Sequence, residues 1–318
     1  MNTSTPTPRV ISLLASGTEI VAALGCTTWL VGRSHECDFP PEVRHLPVVS
    51  QVEILTEGSS AEIDAQVRAL SAQAQAATTP AALRALSLYR LDVDLLRDLR
   101  PDVIITQTQC EVCAVSERDV TAALAELTGL APRVVALAPY RLADVWEDVL
   151  RVGTALGRQA AAAALVADYT ARLDDIRQRT APLPHPRVAL IEWIDPLMAA
   201  GNWSPELIEI AGGISLFGAV GTHSPWLTWD DLTAADPEVI VVAPCGFTLD
   251  RTRQEMGPLV THPLWLRLRA VQTGRVYLAD GNAYFNRSGP RLVESAALLA
   301  AIFHDERDGA VGTWERLG

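Results

Sequence analysis

Two helical patterns in tandem occupy the middle of the chain, between residues 142 and 180, and strand-like and helix-like segments alternate on either side of them. Leu142, Val145, Trp146, Val149, Val152 and Leu156 recur at three- and four-residue steps, which lays one apolar stripe along a helix. Asp144, Glu147, Asp148 and Arg151 fall off that stripe and are expected to face water. Gly157 interrupts the pattern, and a second helix reads through Leu165, Tyr169, Leu173 and Ile176. A strand–helix series before such a spine and another after it predict an α/β chain of two lobes. Each lobe should hold a parallel-rich sheet flanked by helices, and one long helix should join them. The expected bounds are 1–140 for the first lobe, 141–158 for the connecting helix and 159–318 for the second lobe. The expected functional site is a cleft between the lobes.

The flanking series are explicit. Arg9–Leu13, Trp29–Gly32, Asp102–Thr106 and Arg133–Leu137 read as strands of the first lobe; Arg187–Glu192, Glu238–Val242 and Val276–Leu278 read as strands of the second. Their near-continuous apolar runs suit strands buried on both faces. Ala15, Ser16 and Gly17 read as a tight turn before a helix from Thr18 to Leu24. Ser116 reads as the N-cap of a helix through Leu124 and Leu127. Helices are also expected over 205–211, stopped by Gly212 and Gly213, over 230–234 and over 290–303. Ligands of parallel sheets sit beyond the carboxyl ends of the strands. Those ends fall at Ser16, His35 to Asp38, Gln107 to Cys113, Trp193 to Asp195, Cys245 to Phe247 and Asn282 to Arg287.

Composition removes several function classes. With 49% hydrophobic residues in 318, each half has enough apolar surface for its own core. A formal net charge of −12 argues against nucleic-acid binding, which needs basic patches. No run of eighteen apolar residues appears, so no membrane insertion is expected. The opening MNTSTPTPRVISLL has one late Arg, no apolar h-region and no lipidation cysteine, so no export signal is expected and the sequence as written reads as cytoplasmic. On that reading the five cysteines are free thiols or metal ligands, not disulfides. No G-x-S-x-G, HExxH or P-loop appears, and no catalytic residue is assigned.

The segments VISLLASGTEIVAALG, LRPDVIITQ, PELIEIAGG and YFNRSGPRL follow one another along nearly the whole chain. As an ordered set they resemble the cobalamin and iron-siderophore substrate-binding proteins of ABC importers, and more narrowly the cobalamin-binding subgroup. The resemblance implies the class III substrate-binding fold, non-catalytic binding of a corrinoid for uptake, no required cofactor, an ABC permease as partner and an extracytoplasmic location. It also implies one permease-docking acid on each lobe. Asp94, before RPD, and Glu206, before AGG, match those positions, and Asp94 is one methylene shorter than the usual Glu.

Two constellations carry candidate chemistry. A corrin ring is a broad apolar disc fringed with amides, which flat aromatics cover well. Trp193, Trp203, Phe247, Tyr284 and Phe285 lie near strand ends of the second lobe, with Tyr89 on the first; Gln107, Gln109, Asn202 and Asn282 suit the amides. Ser16 offers backbone N–H groups, His35 a further ligand contact, and Arg287 a partner for a carboxylate or phosphate. The second constellation is Cys110 and Cys113, two residues apart after a strand, with His35 and Cys37 at another strand end. These four form an alternative site for zinc or an iron–sulfur cluster. A haem or ferric siderophore is the further alternative ligand.

Overall fold

The computed structural model describes residues 7–76, 89–108, 131–305 and 313–318, with 74–76 described as backbone only. Contacts gather the chain into two compact units, one of residues 1–57, 65–139 and 144–166, the other of residues 58–64, 140–143 and 167–318.

Up to residue 155 the chain runs β1 (Val10–Ser12), α1 (Ala15–Ala23), β2 (Leu30–Arg33), β3 (Ser50–Val52), α2 (Ser60–Ala76), β4 (Tyr89–Leu91), α3 (Val93–Leu99), β5 (Val103–Gln107), β6 (Arg133–Leu137) and α4 (Leu142–Ala155). The first unit's sheet has the order β2-β1-β5-β6 with every pairing parallel. Alternate residues feed opposite faces. Val10, Val103, Ile105, Val135 and Leu137 pack on α1 and on Val149, Val152 and Leu156 of the α4 segment. Ile11, Leu13 and Ile104 pack on the other face with Val49, Tyr89 and Leu96. Both faces are therefore covered, and β5 is buried throughout. Asp92 starts α3 by accepting the Leu95 N–H at 2.9 Å, an N-cap that takes up one unpaired helix donor.

After the break at 156–158, α5 (Gln159–Thr180) carries the chain into the second unit; the boundary falls inside it, between Val166 and Ala167. Then follow β7 (Arg187–Trp193), β8 (Met198–Ala199), α6 (Ser204–Ile210), β9 (Ile214–Ser215), α7 (Trp229–Ala235), β10 (Val239–Val242), α8 (Leu249–Glu255), β11 (Val276–Ala279), α9 (Leu292–Phe303) and β12 (Trp314–Arg316). The sheet order is β12-β11-β10-β7-β8, with β9 also on β7. Its centre is parallel; β12 and β8 are antiparallel edges. Ala189, Ile191, Ile240, Val242, Val276 and Leu278 pack against Leu232, Met256, Leu259, Trp265 and Leu268. Helix α9, buried along nearly its whole length, packs against α6.

Three departures from the sequence reading are informative, and one expected helix is left untested. Helix α1 begins at Ala15, so Ser16 and Gly17 are helical and not a turn; extended Leu14 is its cap. The helix expected over 116–127 lies outside the described residues. Strands β3, β4, β8, β9 and β12 have two or three residues each, too few to show a period. Asp148, expected to face water, is 1% exposed. It lies three residues after Val145 and four before Val152, hence on the same helix face as the stripe. It pairs with Arg151 one turn on.

Two predictions follow from the packing. Burial pushes the Asp148 carboxyl up to about 7, against a smaller downward pull from Arg151. The folded value lies above the ordinary 3.8, so on raising pH the unfolded chain releases this proton first. The stability it lends is full below about pH 4 and is lost as pH rises through about 7, with a ceiling of roughly 4 kcal/mol. Urea titrations at pH 5 and pH 8 should show a loss in the wild type that Asp148→Asn lacks; equal losses in both chains would refute the assignment. At Gly281 an added Cβ would lie 2.1 Å from the Pro244 carbonyl oxygen and 2.7 Å from Ala243 backbone atoms. Gly281→Ala should therefore cost about 1–3 kcal/mol in the same assay. A cost no larger than that of a solvent-exposed substitution would show that the two loops yield freely.

Candidate functional site

The carboxyl ends of β7, β10 and β11 lie side by side in the second unit's sheet, and each opens into a loop carrying an aromatic residue. Trp193 ends β7, Phe247 follows β10 and Tyr284 follows β11. The Trp193 and Phe247 rings meet at 5.3 Å between centroids, inclined at 55°. Phe247 is 2% exposed, whereas Trp193 is half-buried, so Trp193 is the accessible member of the pair. The Arg251 guanidinium lies 4.0 Å above the Phe247 ring and donates to the Gly58 carbonyl at 2.7 Å. Arg291 stands 5.5 Å over the half-buried Tyr284 ring.

These loops are cross-tied. The Asn282 N–H donates to the Phe247 carbonyl at 3.0 Å, and Cys245 N–H to the Glu192 carbonyl at 3.1 Å. Asn286 Nδ2 donates to the Ala243 and Gly281 carbonyls at 3.1 and 3.0 Å. Glu192 accepts the Ser224 hydroxyl at 2.9 Å, and Ser224 Oγ in turn accepts the Gly201 N–H at 3.1 Å. Arg287 donates to Asn282 Oδ1 at 3.0 Å. Two candidate aromatics are built into the core: Phe285 is 1% exposed, and Trp203, 5% exposed, donates its indole N–H to the Phe285 carbonyl at 2.7 Å. Asn202 is a backbone pivot at φ +53, its N–H donating to the Thr222 carbonyl at 2.7 Å.

In the first unit, His35 follows β2. Its Nδ1 lies 3.0 Å from Ser50 Oγ, its ring 5.4 Å from that of Tyr89, and a quarter of its side chain is exposed. Burial, then the neighbouring Arg33 charge, lowers its pKa, which favours the neutral ring near pH 7. Cys37, two residues on, is fully buried. Its sulfur receives the Thr18 hydroxyl at 2.9 Å, lies 3.1 Å from Ser34 Oγ and donates to the Ser12 carbonyl at 3.7 Å. Burial raises its pKa and keeps it a thiol. Ser16 and Gln107 are buried. Gln109, Cys110 and Cys113 lie outside the described residues. Among the described residues, no three His, Cys, Asp or Glu side chains gather as metal ligands.

The two docking candidates differ. Asp94 is exposed on α3 and pairs with Arg97. Glu206 on α6 accepts the Leu142 N–H at 2.9 Å, a carboxylate at the positive end of α4. The sequence reading missed Arg251, Arg291, Glu192, Ser224 and Ser50. Arg251 left no helical signal, because Phe247 lies before helix α8 (Leu249–Glu255). The others are single polar residues whose partners are remote in sequence.

The chain matches the periplasmic binding protein family over residues 10–283. A cobalamin-binding protein of Halobacterium salinarum is 30% identical over 166 residues, 51% of this chain and 44% of that protein, so the chain spans less than half of this curated relative. Two solved structures share the fold at lower identity. A periplasmic heme binding protein from Pseudomonas aeruginosa has a TM-score of 0.70 at 22% identity, covering 98% of this chain and 99% of the other. The periplasmic vitamin B12 binding protein of Vibrio cholerae has a TM-score of 0.64 at 18% identity, covering 96% and 99%. Among the described residues no helix is long and apolar enough to cross a membrane. With the family match spanning residues 10–283, the chain belongs to the periplasmic binding protein family, the substrate-binding proteins of ABC transporters.

Proposed function

We propose that this chain binds a planar metal tetrapyrrole without chemical change, a corrinoid first and haem as the competing ligand, and presents it to an ABC permease. The observation that carries the reading is the aromatic edge of the second unit: Trp193 braced on Phe247, with Tyr284 on the next loop. A flat macrocycle gains most from flat partners that lose little freedom on binding. Cross-tied loops supply that, because their order is in place before the ligand arrives. Arg287 and Arg291 in the same loop suit the acidic or amide fringe of such a ring. The relative named as cobalamin-binding favours the corrinoid; the heme-binding neighbour, at 22% identity, speaks to the fold. In delivery, exposed Asp94 is the freer docking acid, since Glu206 already holds the Leu142 N–H.

Titrating cyanocobalamin and, separately, haemin against tryptophan fluorescence tests this. Saturable quenching is expected, tighter for the corrinoid. Trp193→Ala should weaken it about tenfold, the value of one lost aromatic contact of about 1.4 kcal/mol. No saturation with either ligand at millimolar concentration removes the proposal, and haemin binding tighter than cyanocobalamin reverses the order of ligands.

A further inference from the structure

We propose that the amino-end face of the second unit's sheet carries a separate binding site for a small zwitterion, an amino acid or short peptide with free ammonium and carboxylate groups. The loops entering β7, β10 and β11 meet there with the end of α9, and a cavity of about 610 Å³ lies among them, a size that suits a small-molecule ligand. The cavity sits at the opposite ends of these strands from Trp193, Phe247 and Tyr284, and its whole lining belongs to the second unit. Arg275 supplies the carboxylate half. Of its several N–H donors, one on Nη2 goes to the Phe303 carbonyl at 2.7 Å and caps α9. Its Nε is buried with no acceptor among the described residues. Glu238, which also lines the cavity, is already engaged: Oε1 pairs with Arg269 at 2.8 Å and Oε2 accepts the Arg187 N–H at 3.0 Å. The Arg275 charge is therefore left without a carboxylate among the described residues.

Acceptors supply the ammonium half. Asp305, exposed just past α9, holds only the Tyr277 hydroxyl among the described residues, at a long 3.4 Å. His185 and His304 place Nε2 3.2 and 3.0 Å from the Ala181 and Ala211 carbonyls. A carbonyl only accepts, so each neutral ring carries its proton on Nε2 and presents a lone pair on Nδ1. Arg275 and Asp305 thus line one cavity without pairing with each other. A cationic ligand would leave Arg275 unmatched and an anionic one would leave Asp305 unmatched; a solute bearing both charges answers both. Leu183 and Pro184 give the wall an apolar part, which suits an aliphatic side chain. The capping bond to Phe303 explains one donor of Arg275 and leaves the buried Nε unexplained.

L-leucine and the dipeptide alanyl-leucine are the two probes, each titrated into the intact chain carrying isotope-labelled histidine, with the six imidazole signals followed by NMR. His185→Gln and His304→Gln identify their own signals. Saturable shifts of those two signals are expected, and the probe that acts at lower concentration shows whether a free amino acid or a short peptide is the source. N-acetyl-leucine, which lacks the ammonium, and leucinamide, which lacks the carboxylate, should each bind about tenfold or more weakly than leucine, and the correspondingly blocked dipeptides likewise. Arg275→Lys keeps a cation at the end of α9 and loses the planar fork, so it should weaken binding about tenfold with the urea midpoint little changed. Asp305→Asn, at an exposed position, should weaken binding similarly and leave the fold intact. A blocked probe that binds as tightly as its unblocked parent overturns the zwitterion class. Binding unchanged in both variants overturns the roles of Arg275 and Asp305, and no shift of either histidine at about 20 mM of any probe removes the site.

Discussion

Burying both faces of the parallel strands is the constraint from which the rest follows. In β1, β5 and β10 every residue is buried, and each residue's backbone polar groups are committed to the ladder. Such strands have no room for binding chemistry: an unpaired polar side chain inside them would cost more than it returned. Polar and half-exposed aromatic groups are displaced to where the ladder stops. The carboxyl ends differ from the amino ends because the parallel strands deliver their loops there together, so Trp193, Phe247 and Tyr284 come from three adjacent strands without any long excursion.

Adjacency alone would leave those loops mobile. Backbone hydrogen bonds run from loop to loop, Cys245 to Glu192 and Asn282 to Phe247, and Asn286 closes the set by donating to two carbonyls. Gly281 allows the third loop to lie directly on the backbone of the second. The Arg251 guanidinium covers the Phe247 face, which makes Phe247 a support and leaves Trp193 as the surface it supports. Positioning of this kind lowers the ordering cost of binding and favours rigid, flat ligands over flexible ones.

Much of the architecture was legible because long apolar runs and helical stripes are properties of contiguous residues. The strands at 103–107, 133–137 and 187–193 and the helix pair at 142–180 declare themselves in this way. What escaped depends on remote partners. Asp148 has the charge of a surface residue and the helix phase of a core residue, and only the packed neighbours show that phase prevailed. Trp203 and Phe285 look like ligand-facing aromatics by position; their indole-to-carbonyl bond across 82 residues turns them inward. The antiparallel edges β8 and β12 are too short to carry a pattern, and the tetrapyrrole reading owed as much to the ordered family resemblance as to any single residue.

The loop after β2 shows how one short segment separates two metal-binding side-chain types. Cys37 is sealed: its sulfur meets two hydroxyl oxygens and a carbonyl, and burial holds it protonated, so its affinity for a cation is suppressed. A buried residue with three tethers is also an anchor. It fixes the loop two residues from His35, whose ring is pinned on one side by Ser50 and flanked by Tyr89. The thiol is thus spent on holding the loop, and the imidazole beside it keeps a quarter of its side chain exposed.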